Sequence, residues 1–230
     1  MALIKPLMKI IEIIFFLSIL TTVNAQFSEP LNSEIFPYSV HLNKSNDVIF
    51  SLSTAFDSFH ILNETIFPLG TPRPILGRTV ESYICIFNKE RKLTKLLHFY
   101  GKQSIQVRGD YLDDTDNYYF ALSGPDTILI DNKVYSNSLD LPNYLFCYSL
   151  RTNELKLCKL FGNAWENIKI FADDHCVYLA LQFVGTAMVD TFRFQPLRNS
   201  VHEQDILVIR LSKVDYSVEM ANSLRGESEN

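Results

Sequence analysis

Five histidines, four cysteines and two acidic runs are the groups in this 230-residue chain that could carry chemistry. The histidines (His41, His60, His98, His175 and His202) are scattered, and no two stand four residues apart as a helical zinc motif requires. No G-x-S-x-G elbow, phosphate-binding loop or dinucleotide glycine fingerprint occurs, so no catalytic residue is assigned. Asp113-Asp114-Thr115-Asp116-Asn117 and Asp173-Asp174-His175 are the oxygen-rich clusters, and Asp114, Asp116, Asp173 and Asp174 are the candidate ligands for Ca²⁺. The spacing lacks the glycine and distal glutamate of an EF-hand loop, and a third copy is only Ser45-Asn46-Asp47. Tight turns prefer Asp and Asn for backbone reasons, which explains the runs without a metal; no cofactor is expected. Trp165, the single tryptophan, suits either core cover or stacking on a sugar or partner.

The acidic runs sit between short apolar segments. Tyr144–Leu150 and Leu155–Phe161 flank the polar break Arg151-Thr152-Asn153-Glu154, which reads as a hairpin. Residues Asn167–Ala172 and Cys176–Leu181 alternate on either side of Asp173-Asp174-His175, a second hairpin. Together Tyr144–Gly185 reads as a four-stranded module, and four strands alone cover their apolar face poorly.

The module recurs. Strand-one segments begin at Tyr83, Tyr144 and Asp205, 61 residues apart each time, and Tyr100-Gly101 and Phe161-Gly162 close strand two at the same separation. Strand four returns as Val48–Leu52, Tyr118–Leu122 and Val177–Leu181. An additional hairpin follows each: Ile61–Phe67, Leu129–Tyr135 and Met188–Phe194. A fixed order of segments at a fixed period is the mark of a repeat architecture.

Composition agrees with an ordered β protein, with 47% hydrophobic and 13% aromatic residues. Residues 1–25 read as a signal peptide: Lys5 and Lys9, an apolar core at Ile13–Leu20, and a small-residue site at Val23-Asn24-Ala25. Its two lysines and one glutamate leave with it, taking the formal net charge from −5 to −6. An acidic chain whose one basic run, Lys89-Glu90-Arg91-Lys92, falls on a turn is unsuited to nucleic acid. The remainder, 26–230, is expected to be one domain, secreted to the extracellular space or a bacterial periplasm and free of the membrane after cleavage.

Export makes cysteine pairing and glycosylation relevant. A two-residue loop at Thr152-Asn153 would set Cys147 directly opposite Cys158 at a hydrogen-bonded position, so this pair is the disulfide candidate, with packed free thiols as the alternative. Asn43-Lys44-Ser45 and Asn63-Glu64-Thr65 make Asn43 and Asn63 the glycosylation candidates, depending on the host.

The run Asp205-Ile206-Leu207-Val208-Ile209-Arg210-Leu211, the glycine closing strand two, the acidic turn, the Tyr-containing fourth strand and the exits Ser123-Gly124 or Val184-Gly185 resemble the secreted β-propeller repeat family. That repeat reads D-x-F-x-x-K-x, a Trp-containing strand ending in Gly, then D-x-x-G-N-x-Y-x-x-G. The likeness spans Tyr38 to Leu224; the strand-two Trp is missing and Gly-Asn is reduced to Asp116-Asn117 or Asp174-His175. It implies an all-β, propeller-like array of four-stranded antiparallel blades, each with an extra hairpin. Partial blades at 38–56 and 205–221 would join into one blade, leaving three where closed propellers have four to eight. Either the array is incomplete or compact, or two chains form a six-bladed ring as a homo-oligomer. The expected function is non-enzymatic binding of a protein or glycan; the alternatives are a propeller-fold hydrolase or lyase acting on extracellular polysaccharide, and a degenerate repeat remnant.

Overall fold

The computed structural model describes residues 35–54, 59–61, 64–66, 80–131, 133–139, 142–190, 192–195 and 205–224. The signal segment 1–25, Asn63 and His202 lie outside the described residues, and so does the Trp165 side chain. Among the described residues there is no helix, and the strands form three antiparallel sheets.

Pairing gives a six-stranded, an eight-stranded and a two-stranded sheet, and dividing the eight-stranded one along its longest strand, Glu154–Ala172, leaves three four-stranded units. Unit 1 is β1 (Ile35–Leu42), β2 (Val48–Thr54), β5 (Glu81–Phe87) and β6 (Leu93–Gly101), in that order across the sheet. A two-stranded sheet of β3 (Phe59–Ile61) and β4 (Glu64–Ile66) is inserted between β2 and β5. Unit 2 is β7 (Gln106–Leu112), β8 (Asn117–Ser123), β11 (Asn143–Ser149) and the first half of β12 (Glu154–Ala172). Unit 3 is the second half of β12, then β13 (Cys176–Val189), β15 (Asp205–Ser212) and β16 (Val218–Leu224). The inserted strands β9 (Thr127–Ile130), β10 (Lys133–Ser136) and β14 (Phe192–Phe194) complete the set.

Two of the three insertions act as clasps, while among the described residues β3 and β4 pair only with each other. Ile130, Leu129 and Ile128 of β9 pair with Phe99, Tyr100 and Gly101 of β6, so the second unit's hairpin extends the first unit's sheet. In the same way Val189 and Met188, at the end of β13, pair with Phe161 and Gly162 on the outer edge of unit 2. The Tyr100-Gly101 and Phe161-Gly162 repeats visible in the sequence are the two places where a clasp lands.

Three expectations are corrected. The expected strands two and three of the Tyr144–Gly185 module are one continuous strand, β12, which leaves the edge of unit 2 and enters unit 3. Its residues carry no turn strong enough to reverse the chain, and a strand can serve two sheets if it crosses between them. A unit therefore combines expected strands three, four, one and two, and the partial blades at 38–56 and 205–221 do not join: β2 pairs with β5 and β15 with β13, in different sheets. The 61-residue period also drifts: pairing sets Tyr144 opposite Leu122, whereas the unit 3 counterpart of Leu122, Leu181, faces Leu207 and not Asp205. A two-residue slip leaves every side chain on the same face, so the apolar pattern hides it.

Backbone geometry repeats more faithfully than side chains do. Left-handed residues recur at matching turns: Asn46 and Asp116, then Arg91, Asn153 and Tyr216, then Asp131 and Asp190. Asn and Asp tolerate this region through local hydrogen bonding; a buried Tyr does not, which marks Tyr216 as strained.

The units stack face to face. Tyr118, Phe120, Leu122, Tyr144, Phe146 and Tyr148 of unit 2 pack on Ile49, Ile84, Ile86, Leu97 and Phe99 of unit 1. The alternate residues Tyr119, Ala121, Leu145 and Cys147 pack on Val177, Leu179, Leu181, Leu207, Ile209 and Leu211 of unit 3. Both faces of unit 2 are thus buried, which is why its central strands read as continuous apolar runs without polar alternation. Each large side chain so buried contributes about 1.5–3 kcal/mol.

Candidate functional site

Four places combine polar groups or exposed apolar surface in a way that bears on function. The first lies between units 1 and 2. The Ser51 and Tyr118 hydroxyls donate to Asp110 Oδ2 over 2.8 and 2.5 Å, and Ser39 donates to the same oxygen. His41 Nε2 stands 3.1 Å from Oδ1, off the line of a hydrogen bond, with its ring edge-on to Tyr118. Burial pushes the Asp110 carboxyl up, but His41 and the hydroxyl donors outweigh it and hold the group below its ordinary value. The serines bond the carboxylate and each other, so neither is presented to His41 as a nucleophile. This is a polar core in which three hydroxyls converge on one carboxylate, and it joins β1, β2, β7 and β8.

In unit 1, Glu81 Oε2 accepts from Tyr83 Oη over 2.8 Å and lies 2.6 Å from His98 Nε2. The His98 ring is stacked between Tyr83 and Tyr100, with centroids 4.5 and 4.8 Å away. All of Glu81, Tyr83 and His98 are buried. An acid and an imidazole so close suit proton transfer, but here neither meets solvent.

The third cluster joins units 2 and 3. Tyr216, from the turn between β15 and β16, enters the core beside Tyr119, Cys147 and Cys158. A hydrogen bond shared with Cys158 holds the Cys147 thiol below its usual pKa against the opposing effect of burial, while burial and Cys147 push Cys158 up. Burial raises Tyr216 and Tyr119 as well. Lys156 Nζ lies 4.7 Å over the Tyr216 ring, and Lys213 reaches Asp113 Oδ2 at 2.8 Å.

The disulfide candidates are neighbours but not opposed. The β11–β12 loop spans Leu150–Asn153 with Asn153 left-handed, so Cys147 pairs with Lys156 instead of Cys158. Cys158 is the extra residue of a bulge between the Leu145 and Phe146 pairs. All four cysteines are thiols in the structure.

The acidic turns are held by their own backbones. Asp113 Oδ1 accepts from the Thr115 and Asn117 amides, and Asp173 Oδ1 from those of His175 and Cys176. Asn43 occupies the matching position in unit 1, with Oδ1 accepting from the Ser45 and Asp47 amides. Asp114 is exposed beside Lys44, and Asp116 pairs with Arg151. Among the described residues no three His, Cys, Asp or Glu are grouped as metal ligands. The key residue of each turn, its first Asp or Asn, was missed for Asp113; the common signal was an acceptor two residues before a hydroxyl or His. Asn43 is also a sequon, yet it is buried with Nδ2 donating to Asp47.

The fourth place is the outer face of unit 3. β15 reads buried on one side only: Leu207, Ile209 and Leu211 face unit 2, whereas Ile206 is 39% exposed and Val208 and Arg210 are partly so. Its counterparts β5 and β11 are buried on both sides. Across the pairing, Ala180 lies beside Val208 and Tyr178 beside Arg210 and Phe171, and Leu224 pairs with Ile206. These positions correspond to Tyr119, Ala121, Leu145 and Cys147, which in unit 2 are covered by unit 3. Phe171 and Leu224 are more than half exposed. The sequence of this face is that of a covered sheet, and no described residue covers it.

Comparison with known proteins found no matching family model, no matching curated protein and no matching solved structure.

Proposed function

We propose that this chain is an exported, non-enzymatic, β-propeller-like binding protein whose working surface is the outer face of its third unit. The three stacked four-stranded units, the period seen in the sequence and the propeller resemblance support the architecture; the signal-like segment supports export. The exposed apolar face at Phe171, Tyr178, Ile206, Val208 and Leu224 carries the functional reading. Contiguous apolar sheet surface is costly to leave in water and is characteristic of interaction sites. Polar side chains interleave with the apolar ones there, Gln182 beside Ile206 and Asn222 beside Val208, a mixture that suits a protein partner. Of the acids that could serve catalysis, Glu81 is buried and bonded to Tyr83, and the largely covered carboxyl of Asp110 is held by hydroxyls.

The test is capture from the extracellular fraction of the source organism by the full secreted chain and by Ile206→Lys. A protein retained by the first and lost with the second supports the reading. Equal retention by both, or retention of nothing, overturns it.

A further inference from the structure

The two clasps carry the same charged contact at their tips. Asp131 follows Ile130 in the β9–β10 clasp and Asp190 follows Val189 in the β13–β14 clasp, and both aspartates are left-handed. Lys95 Nζ lies 3.1 Å from Asp131 Oδ2, and Lys159 Nζ lies 2.8 Å from Asp190 Oδ2. Each lysine belongs to the strand on which the clasp lands, four residues before Phe99 in β6 and two before Phe161 in β12. An even offset in a strand keeps a side chain on the landing residue's face. That face is the one the next unit covers, for Lys95 stands opposite Ile86 and Lys159 opposite Leu145.

The third insertion lacks both charges. Between Ile61 and Glu64, at the place of Asp131 and Asp190, the sequence has Leu62. Leu224, opposite Ile206, holds the register of Phe99 and Phe161, and the residues two and four before it are Asn222 and Met220. Acid and lysine thus occur together where a hairpin lands, and neither occurs at the two matching places where, among the described residues, none does.

The ladders so guarded are short. The first clasp joins β6 through three residue pairs and the second joins β12 through two, against seven between β2 and β5. Their outer strands β10 and β14 are mostly exposed. Few pairs and an exposed outer strand place a segment at the low-stability end of a structure. We propose that Lys95–Asp131 and Lys159–Asp190 are ionic latches: the clasps open as straps while the three units stay folded, and these pairs set how often. An opened clasp leaves Phe99–Gly101 of β6, or Phe161 and Gly162 of β12, without a partner on that edge. The device is independent of what the third unit's face binds. Salt separates the two latches: Lys95 and Asp131 are 34% and 47% exposed, so mobile ions screen their attraction, whereas Lys159 is 10% exposed and is screened less.

Native-state hydrogen exchange on the full secreted chain, resolved by residue in low salt and in about 1 M NaCl, is the experiment. The amides of β9 and β10 should exchange through an opening that leaves those of β2, β5, β8 and β11 protected. Lys95→Met and Asp131→Asn should each speed that exchange about two- to fivefold, and the double variant should be no faster than either. Asn suits a left-handed position, so the second change isolates the charge. Lys159→Met should act in the same way on Met188, Val189 and β14. Salt should speed the first clasp more than the second, and should leave the first unchanged in the double variant. Clasp exchange in step with the strands of the units, acceleration spread over those strands by the substitutions, or exchange indifferent to salt and substitution alike overturns the proposal.

Discussion

A Cβ built on Gly109 of β7 would lie 2.0 Å from the carbonyl oxygen of Ile168 in β12. This is the point where units 2 and 3 cross, and the contact is backbone to backbone, so no side chain can move to relieve it. Gly109 also follows a bulge in the β7–β8 pairing, which turns the strand toward its neighbour.

Gly109→Ala should therefore pry units 2 and 3 apart. Overpacking of this kind costs about 1–3 kcal/mol, with the upper end expected because the clash is with main chain. Urea unfolding measures it; a loss within error of zero would mean the crossing is looser than described.

Asp110 should make stability depend on acid. Its folded pKa is lowered, so its contribution is complete above the unfolded carboxyl value of about 3.9 and is lost as pH falls through that value toward the folded one. Asp110→Ala strands the Ser39, Ser51 and Tyr118 hydroxyls and should cost about 3–5 kcal/mol. The check is a set of denaturation curves between neutral pH and pH 3: the variant should show a shallower loss on acidification than the parent. Parallel curves would remove Asp110 from the account.

The bulge at Cys158, whose thiol donates to the Lys156 carbonyl, leads to an expectation about thiols. Non-reducing peptide mapping of the secreted protein should return four alkylatable cysteines in denaturant and slow labelling confined to the partly exposed Cys158 in the native state. A Cys147–Cys158 peptide in the non-reduced digest would show that the bulge relaxes to allow a bridge.

Asn43 should remain unglycosylated in a host that modifies sequons, because a glycan there would have to open a turn in which both ends of the amide are engaged. Asn43→Ala should cost about 1 kcal/mol through loss of the turn's acceptor. Intact-mass measurement and thermal unfolding test the two halves separately; a sugar found on Asn43 in folded protein would contradict the first.

The period of the apolar segments was legible without coordinates because the central strands β2, β5, β8 and β11 are buried on both faces, and burial writes itself into residue type. The clasp positions Tyr100-Gly101 and Phe161-Gly162 were visible for the same reason. Which strand belongs to which sheet was not: Phe161-Gly162 reads as a strand end, whereas β12 runs on through it from unit 2 into unit 3. The Asp110 network was equally hidden. Ser39, His41, Ser51, Asp110 and Tyr118 come from four strands, and their convergence depends on how two sheets meet.

By itself the sequence determined that this is a β protein made of recurring strand pairs with acidic turns, since alternation and turn chemistry are local properties. The order of the strands in their sheets, the two-residue drift at β15 and the openness of the face bearing Ile206 were decided only by tertiary structure. The physical reason is that a pleated strand looks the same after a slip of two residues, and an apolar residue looks the same whether or not anything comes to cover it.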